Sequence, residues 1–255
     1  MKKYHFVFDK TPRAKKLEKY FMYKYKNTSI NKSNIIVVAG GDGFMLRVIK
    51  KYYKYKKTFY GINCGTFGFL MNRYSKSNLQ KRILNSKIIT INPIHVKITK
   101  TDKKSHKTIA INEISLLRQS RQTSKLKIKV NNEYLIKNLI GDGVLVSTPA
   151  GSTAYNLSIH GPILSLNSKK VALTPISPFR PRRWKGKIIS DKSAISIENL
   201  EPSKRPVSAV ADNNEIRNIK KIYVKVDKKI KLNLLFDKKN SLINKIRIEQ
   251  IKKIN

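Results

Sequence analysis

The first third of the chain alternates short β-branched runs with amphipathic stretches. Tyr4 to Asp9 predicts a short strand, and Pro12 opens an amphipathic stretch to about Tyr25 that predicts a helix, because proline is favoured at a first helical position. The run Ile35 to Val38 lacks polar alternation, which is typical of a strand buried on both faces. The pattern predicts strands covered by helices.

A glycine-rich turn follows each of the next two predicted strands. Gly40-Gly41-Asp42-Gly43 ends the first, and Phe44 to Tyr53 then has a helical pattern. Phe59 to Ile62 predicts the second strand, after which Gly65 and Gly68 mark a turn. Repetition of strand, glycine turn and helix predicts a parallel α/β layer.

The pattern changes near Pro93, beyond which the chain is mostly short β-rich pieces. Such spacing predicts a β-sandwich or a similar multi-sheet domain, and Asn131-Asn132 suits a tight hairpin turn. Leu242 to Ile251 predicts a last helix able to pack on the first domain. The predicted strands are Val96–Thr99, Thr108–Leu117, Lys125–Val130, Tyr134–Leu139, Val144–Ser147, Ala194–Ile197, Val207–Ala211, Ile222–Val226 and Leu232–Phe236.

The charge is unusual: 55 Lys and Arg residues against 15 Asp and Glu give a formal net charge of +40. This favours a nucleic-acid or anionic-membrane partner on one interpretation, since phosphate contacts drive sequence-independent binding. On the other, lysines scattered among many Asn and Ile residues reflect an AT-rich coding sequence. We favour the second, because a binding surface concentrates its charge and interleaves it with aromatic residues.

Other features of the composition favour a cytoplasmic protein. No apolar run approaches the roughly 20 residues needed to span a bilayer, and we identify no secretion signal at the N-terminus. The single cysteine, Cys64, cannot form an internal disulfide. The four histidines lack metal-ligand spacing, so the sequence predicts no protein metal site.

Asp42 is the first candidate for chemistry. Glycines between a buried strand and a helix let a ligand approach the backbone, and the helix N-terminus offers free N–H groups to an anion. A carboxylate beside phosphate is repelled unless it holds a metal or accepts a proton, which indicates phosphoryl transfer. The alternative is that Asp42 caps the helix. The turn is neither a Walker A loop nor a GxGxxG fingerprint.

Two further segments have the composition of a ligand site. Gly141-Asp142-Gly143 precedes the run 147–158, STPAGSTAYNLS, which offers hydroxyl donors, a flat aromatic ring and small residues that leave room for a ligand. A polar turn between strands is the alternative. Asn112-Glu113 at a strand start suits ribose hydroxyls, because both side chains accept hydrogen bonds; an edge turn is equally consistent.

Together these segments resemble the NAD kinase family, and the match covers nearly all of the chain. GGDG alone is shared with lipid kinases and phosphofructokinases, whereas the long GDG…STPAGSTAY segment after an NE pair is highly specific. The matching motifs are GGDGFML at 40–46, GINCGTFGFL at 61–70, NEISLLR at 112–118, GDGVLVSTPAGSTAYNLSIHGPIL at 141–164, LTPISP at 173–178 and RPVSAVAD at 205–212.

The resemblance implies a role for each candidate residue. It implies that Asp42 is the catalytic base that takes or orients the proton of the adenosine 2′-hydroxyl of NAD, and that Gly43 leaves space for ribose or phosphate. Tyr155 is the expected stacking surface. The remaining positions implied to bind NAD are Arg47, Asn112, Glu113, Asp142, Ala150, Thr153, Ala154, Asn156, Leu157, Ser158 and Asn214.

The family also implies an architecture, a donor and partners. We expect an α/β Rossmann-like N-terminal domain (1–93 and 238–255), an all-β sandwich C-terminal domain (94–237), and a C-terminal helix returning to the first domain. We expect ATP or polyphosphate as phosphoryl donor, a divalent metal, usually Mg²⁺, and a homodimer or homotetramer.

Two positions depart from the family pattern. Cys64 stands where many bacterial relatives carry Arg, and His160 replaces a common Gly. Neither change touches the expected base. The competing hypotheses are a lipid or sugar kinase that shares GGDG and, because of the charge, a nucleic-acid-binding protein.

Overall fold

The computed structural model describes residues 2–65, 68–75, 78–238 and 245. The chain divides into two compact units: a first unit of residues 1–91 and 230–255, and a second unit of residues 92–229. Each unit has its own sheet.

Among the described residues, most helices lie in the first unit, whereas strands occur in both units. Residues 2–91 form β1 (Tyr4–Phe8), α1 (Pro12–Lys24), β2 (Ile35–Gly40), α2 (Asp42–Tyr52), a 3-10 turn (Tyr53–Tyr55), β3 (Thr58–Asn63), α3 (Leu79–Leu84) and β4 (Lys87–Ile91). Residues 92–229 form β5 (Ile94–Lys100), β6 (Ser105–Ala110), β7 (Glu113–Arg118), β8 (Ser124–Val130), β9 (Glu133–Ser147), α4 (Tyr155–Ser158), β10 (Lys170–Arg180), β11 (Lys187–Ser190), β12 (Ala194–Asn199), β13 (Val207–Ala211), β14 (Asn214–Ile216) and β15 (Ile219–Val226). The later residues add β16 (Leu232–Phe236).

The sheet of the first unit has the strand order β1-β2-β3-β16-β4. β1, β2 and β3 are mutually parallel, and every residue of β2 is buried, as its unbroken apolar pattern predicts. Thr11 caps α1 by accepting a hydrogen bond from the backbone N–H of Ala14, and Pro12 occupies the first helical position. The predicted parallel α/β layer is confirmed.

The last strand lies in a different sheet from the one the sequence predicts. The pattern assigns Leu232–Phe236 to the β-rich second domain, but β16 pairs with β3 and β4 in the first unit. Its apolar sequence identifies a strand correctly. Strand pattern specifies burial and not the neighbouring strand, so the assignment to the second domain is wrong.

The second unit is an 11-stranded sheet that depends on the fifteen-residue β9. The first part of β9 pairs with β8, whereas its last residues lie between β7 and β10. Side chains from the strands next to the first part of β9 and from those next to its last part belong to one hydrophobic cluster. The sheet therefore curls around a single core.

Local turn chemistry explains where strand prediction succeeds and fails. Asn131 and Asn132 both have positive φ, 50° and 70°, as a type I′ turn requires, so the predicted hairpin between β8 and β9 is confirmed. The sequence pattern does not predict β10, because Pro175 and Pro178 lack the N–H of a central strand. β10 pairs with β11 through residues 170–173. Both prolines come after these residues, in the part of β10 that pairs with β9.

The coarse fold class, an α/β unit and a β-sheet unit, is confirmed. The sandwich description stays a prediction. The predicted helix 242–251 falls outside the described residues except for Lys245. None of the helices in the described ranges is long and apolar enough to cross a membrane.

Candidate active site

The carboxylate of Asp42 lies in the first turn of α2, directly beyond the buried strand β2. Its Oδ2 accepts a hydrogen bond from the backbone N–H of Phe69 at 2.7 Å, and its Oδ1 accepts one from Leu70 at 3.0 Å. The N-cap residue of α2 is Gly41, which has no side chain to cap with. The carboxylate is therefore bound to a neighbouring loop, and the helix-cap alternative for Asp42 is wrong.

Opposing influences act on the acidity of Asp42. Burial raises its pKa, while the hydrogen bonds from Phe69 and Leu70 and the positive charge of Lys245 lower it; burial is the largest of these, so the pKa lies above its ordinary value. A carboxylate with a raised pKa is a stronger base than one in water, which suits proton abstraction.

Two of the nearby glycines leave open space. A Cβ at Gly41 or Gly43 would meet no atom of the described residues within 4 Å. A Cβ at Gly68, by contrast, would lie 2.9 Å from Oδ1 of Asp42. Gly68 is thus required by the contact with the carboxylate, whereas Gly41 and Gly43 keep the adjacent surface accessible.

Arg47 lies one turn further along α2 and is mostly exposed. Its guanidinium is 3.9 Å from Asp9 and 5.5 Å from the ring of Phe44. An exposed ion pair of this length contributes little stability, so the side chain can reorient toward an anion.

In the second unit, Asp142 lies in β9 between the residues that pair with β8 and those that pair with β7. A Cβ at Gly143 would lie 1.9 Å from the carbonyl oxygen of Leu116 in β7, so only glycine permits this close strand contact. Asp142 accepts a hydrogen bond from Nε of Arg118 at 2.5 Å, and both side chains are about one-third exposed.

Asn112 and Glu113 form a corner between β6 and β7. The carboxylate of Asp212 accepts hydrogen bonds from the backbone N–H groups of Ile111, Asn112 and Glu113 at 2.7–3.3 Å. This bonding interrupts the single strand predicted over Thr108–Leu117. Asp212 therefore fixes the backbone that carries both candidate side chains.

The loop at 147–158 is bound to this corner. The backbone N–H of Thr148 donates to the carbonyl of Asn112 at 2.9 Å, and its hydroxyl donates to that of Ile111 at 2.8 Å. A Cβ at Gly151 would lie 2.2 Å from the Asn112 carbonyl oxygen. The small residues of the loop thus permit backbone contact as well as leaving room for a ligand.

The side chain of Asn156 is occupied within the protein. It is fully buried; its amide donates to the carbonyls of Ser152 and Pro162 and accepts from the hydroxyl of Thr174. Both amide hydrogens are used, so the side chain stabilises the loop. A ligand bound here would need a hydrogen-bond donor other than the Asn156 side chain.

Tyr155 presents a partly open ring, 36% exposed. Burial raises the pKa of its hydroxyl, and the negative charges of Asp142 and Glu113 raise it further. The pairing of Glu113 in β7 with Ser147 at the end of β9 joins these segments. The structure brings the GDG, NE and STPAGSTAY segments together.

Oδ1 of Asn112 and Oγ1 of Thr153 are buried and have no hydrogen-bond partner among the described residues. Unsatisfied buried polar atoms are rare and require an explanation. Of the other candidates, Ala150 is buried, Ala154 and Leu157 are half-buried, and Ser158 and Asn214 are exposed.

Comparison with known proteins identifies the family. A family model described as the ATP-NAD kinase C-terminal domain matches residues 111–239. An NAD kinase from Rhizorhabdus wittichii is 46% identical over 89% of both chains, and one from Hyphomonas neptunium is 44% identical over 96% of both. The chain belongs to the NAD kinase family. Its members are phosphotransferases, and the chain is an enzyme of this class.

Solved structures of more distant proteins share the fold. A yeast NADH kinase complexed with NADH has a TM-score of 0.82 at 22% identity, covering 100% of this chain and 89% of that one. An NAD kinase from Archaeoglobus fulgidus in complex with ATP has a TM-score of 0.75 at 22% identity, covering 96% and 98%. The family resemblance found in the sequence is confirmed by the relatives at 44–46% identity and by the family model.

One departure from the NAD kinase family pattern now has a structural explanation. His160 follows α4 with φ 61°; its N–H donates to Leu157 and that of Gly161 donates to Asn156. This is a Schellman C-cap, whose left-handed residue is usually glycine. The glycine expected from the resemblance would suit this backbone, and His160 adopts it at a cost.

The sequence analysis missed three groups that hold candidate residues in place within one unit or the other. The N–H groups that bind Asp42 belong to the main chain, which every residue supplies. Asp212 ends a matched motif and precedes two asparagines, a turn signal that indicates a capping carboxylate. Lys245 is one of many lysines, and no pattern distinguishes it.

Proposed function

We propose that this chain phosphorylates the adenosine 2′-hydroxyl of NAD with ATP to give NADP, and that Asp42 is the general base. The observation that carries the proposal is the placement of Asp42 beyond a buried strand, with each oxygen fixed by one backbone N–H and with open space at Gly41 and Gly43. The relatives named NAD kinase supply the identity of the acceptor.

The fixed carboxylate can still accept a proton. An ionised carboxylate has about four lone-pair sites, and the two N–H groups use two of them. Holding the oxygens in place reduces the reorganisation needed when a hydroxyl approaches. We infer that Asp42 orients the 2′-hydroxyl and receives its proton as the hydroxyl oxygen bonds to the γ-phosphorus of ATP and the bond from that phosphorus to ADP breaks.

The second unit is proposed to bind the dinucleotide. Asn112 and Glu113 would receive hydrogen bonds from ribose hydroxyls, and the open ring of Tyr155 would stack on a base. The unpartnered Oδ1 of Asn112 and Oγ1 of Thr153 support this, because a bound ligand would satisfy them. Asn156 is proposed to maintain the loop, and Asp142 to line the dinucleotide pocket.

A divalent cation, expected to be Mg²⁺, is proposed to bind together with the triphosphate. The described residues contain no cluster of three or more His, Cys, Asp or Glu side chains able to hold a metal ion. Mg²⁺ commonly uses one or two carboxylates together with substrate phosphates. It would offset phosphate charge there, while Arg47 remains a candidate phosphate contact.

Some expectations stay proposals. The homodimer or homotetramer, the use of polyphosphate and the roles of Gly43, Ala150, Ala154, Leu157, Ser158 and Asn214 rest on the family resemblance, and the cytoplasmic location rests on composition.

The test is NADP formation from NAD, ATP and Mg²⁺ by the wild type, Asp42→Asn and, as a matched control, Glu18→Gln on the exposed face of α1. We expect Asp42→Asn to lower kcat by about 10²–10⁴-fold with little change in NAD affinity, and the control to resemble the wild type. Full turnover by Asp42→Asn would exclude the base. Phosphorylation of diacylglycerol or fructose 6-phosphate without NADP would exclude the function.

A further inference from the structure

The ammonium of Lys245 is buried against the loop that binds Asp42. The residue is 8% exposed. Its Nζ donates hydrogen bonds to the carbonyls of Gly68 at 2.7 Å, Phe69 at 3.2 Å and Met71. An ammonium has three hydrogens to donate, so its capacity is satisfied by backbone carbonyls alone.

Two of these carbonyls belong to the same peptide groups that bind Asp42. The carbonyl of Gly68 shares a peptide group with the N–H of Phe69, which donates to Oδ2 of Asp42. The carbonyl of Phe69 shares one with the N–H of Leu70, which donates to Oδ1. Each peptide group therefore connects a buried cation at its oxygen to a carboxylate at its nitrogen.

Such an arrangement strengthens the bonds at both ends. A cation that binds a carbonyl oxygen polarises the peptide group and makes its N–H a better donor, and this cooperativity is larger where water is excluded. The ring of Phe236 lies 5.7 Å from Nζ, which adds a favourable contact for the cation.

We propose that Lys245 is a positioning residue for phosphoryl transfer: through the peptide groups 68–69 and 69–70 it orients the Asp42 carboxylate and keeps it ionised. This inference rests on the proposed function, because it assigns Lys245 to the same base. Lys245 contacts Asp42 through the backbone and is not itself placed on substrate.

The surrounding charges are consistent with this role. The pKa of Lys245 is lowered to about 8, chiefly by burial; the carboxylate of Asp42 opposes the decrease, Arg73 adds to it and Asp237 opposes it. The ammonium is therefore still mostly charged at neutral pH. Its charge in turn lowers the pKa of Asp42, so loss of Lys245 would raise that pKa.

The test compares Lys245→Met with Lys245→Arg, using Lys19→Met on the exposed face of α1 as a control. The Asp42 carboxylate becomes protonated as pH falls and can then no longer act as a base. A higher pKa for Asp42 therefore moves the acidic limb of the kcat profile to higher pH. For Lys245→Met we expect the limb to shift by about one pH unit, so that kcat on the limb is about tenfold lower than in the wild type, with NAD affinity unchanged. Lys245→Arg and the control should retain the wild-type limb.

A second variant and a second readout keep the test decisive. If Lys245→Met does not fold, Lys245→Gln, which keeps a donor but no charge, should shift the limb in the same direction by a smaller amount. An unshifted limb in a folded, active variant overturns the proposal and leaves the function intact.

If the wild type forms no NADP, the proposed function fails, and the role of Lys245 in kinase turnover fails with it. An NMR titration of the Asp42 carboxyl in wild type and variant then tests the electrostatic coupling separately. A raised pKa in the variant supports that coupling, and an unchanged pKa overturns it.

Discussion

The two units hold their candidate residues in different ways. In the first unit a single carboxylate, Asp42, is contacted by main-chain N–H groups beside open space. In the second unit Asp212 and Thr148 are bonded to the backbone of the Asn112–Glu113 corner, and Asn156 is bonded to backbone carbonyls of its own loop. The first arrangement controls the charge of one group, and the second controls the shape of a surface.

This difference separates the expected effects of mutation. Changing a charge near Asp42 should alter turnover and its pH dependence more than stability. Removing a connecting side chain in the second unit should alter stability and NAD affinity together, because the same bonds form the fold and the surface.

The largest effect in the second unit is expected from Asp212→Ala. Three backbone N–H groups lose their acceptor, at about 1 kcal/mol each, so the free energy of unfolding should fall by about 3 kcal/mol. NAD affinity should fall by about tenfold or more as the Asn112–Glu113 corner relaxes. Urea unfolding and calorimetric titration with NAD measure the two effects.

Matched variants show whether the corner is responsible. Asp212→Asn keeps one acceptor oxygen and should retain part of both properties, whereas Glu133→Ala at the exposed start of β9 should change neither. Wild-type unfolding and wild-type NAD binding in Asp212→Ala would mean that the second unit does not depend on this connection.

A smaller effect, confined to affinity, is expected at Tyr155. Stacking of a base on an aromatic ring contributes about 1–3 kcal/mol, so Tyr155→Ala should weaken NAD binding by about tenfold while the unfolding midpoint stays near the wild-type value. Tyr155→Phe keeps the ring and should bind normally. Equal losses in both variants would assign the effect to the hydroxyl and would contradict a stacking role.

The smallest effect is expected at the end of α4, and it is favourable. His160→Gly removes a left-handed non-glycine residue and should raise the free energy of unfolding by about 1 kcal/mol. His106→Gly, in the extended strand β6, should instead be destabilising. A loss of stability in His160→Gly would show that the imidazole makes a compensating contact.

The sequence predicts local structure better than long-range placement. The buried run at 35–38, the helix after Pro12 and the turn at Asn131-Asn132 follow from residue preferences within a few positions. The family resemblance likewise depends on continuous motifs, and it is confirmed.

The features that the sequence does not predict depend on contacts between residues distant in the chain. The pattern of Leu232–Phe236 predicts a strand but does not specify β3 and β4 as neighbours. The partners of Asp42 at 69 and 70 are backbone groups without a sequence signature, and Lys245 is separated from the loop it binds by most of the chain. Asp142, Glu113 and Tyr155 are brought together by the curled sheet, which no local pattern describes.

The position of β16 has a consequence for biosynthesis. This strand lies between β3 and β4, yet the ribosome delivers it only after the entire second unit has been made. Until then β4 lacks the strand it pairs with in the described structure, and one edge of β3 remains open. Open strand edges promote association between chains, so nascent chains halted before residue 232 should be the species that most requires a chaperone.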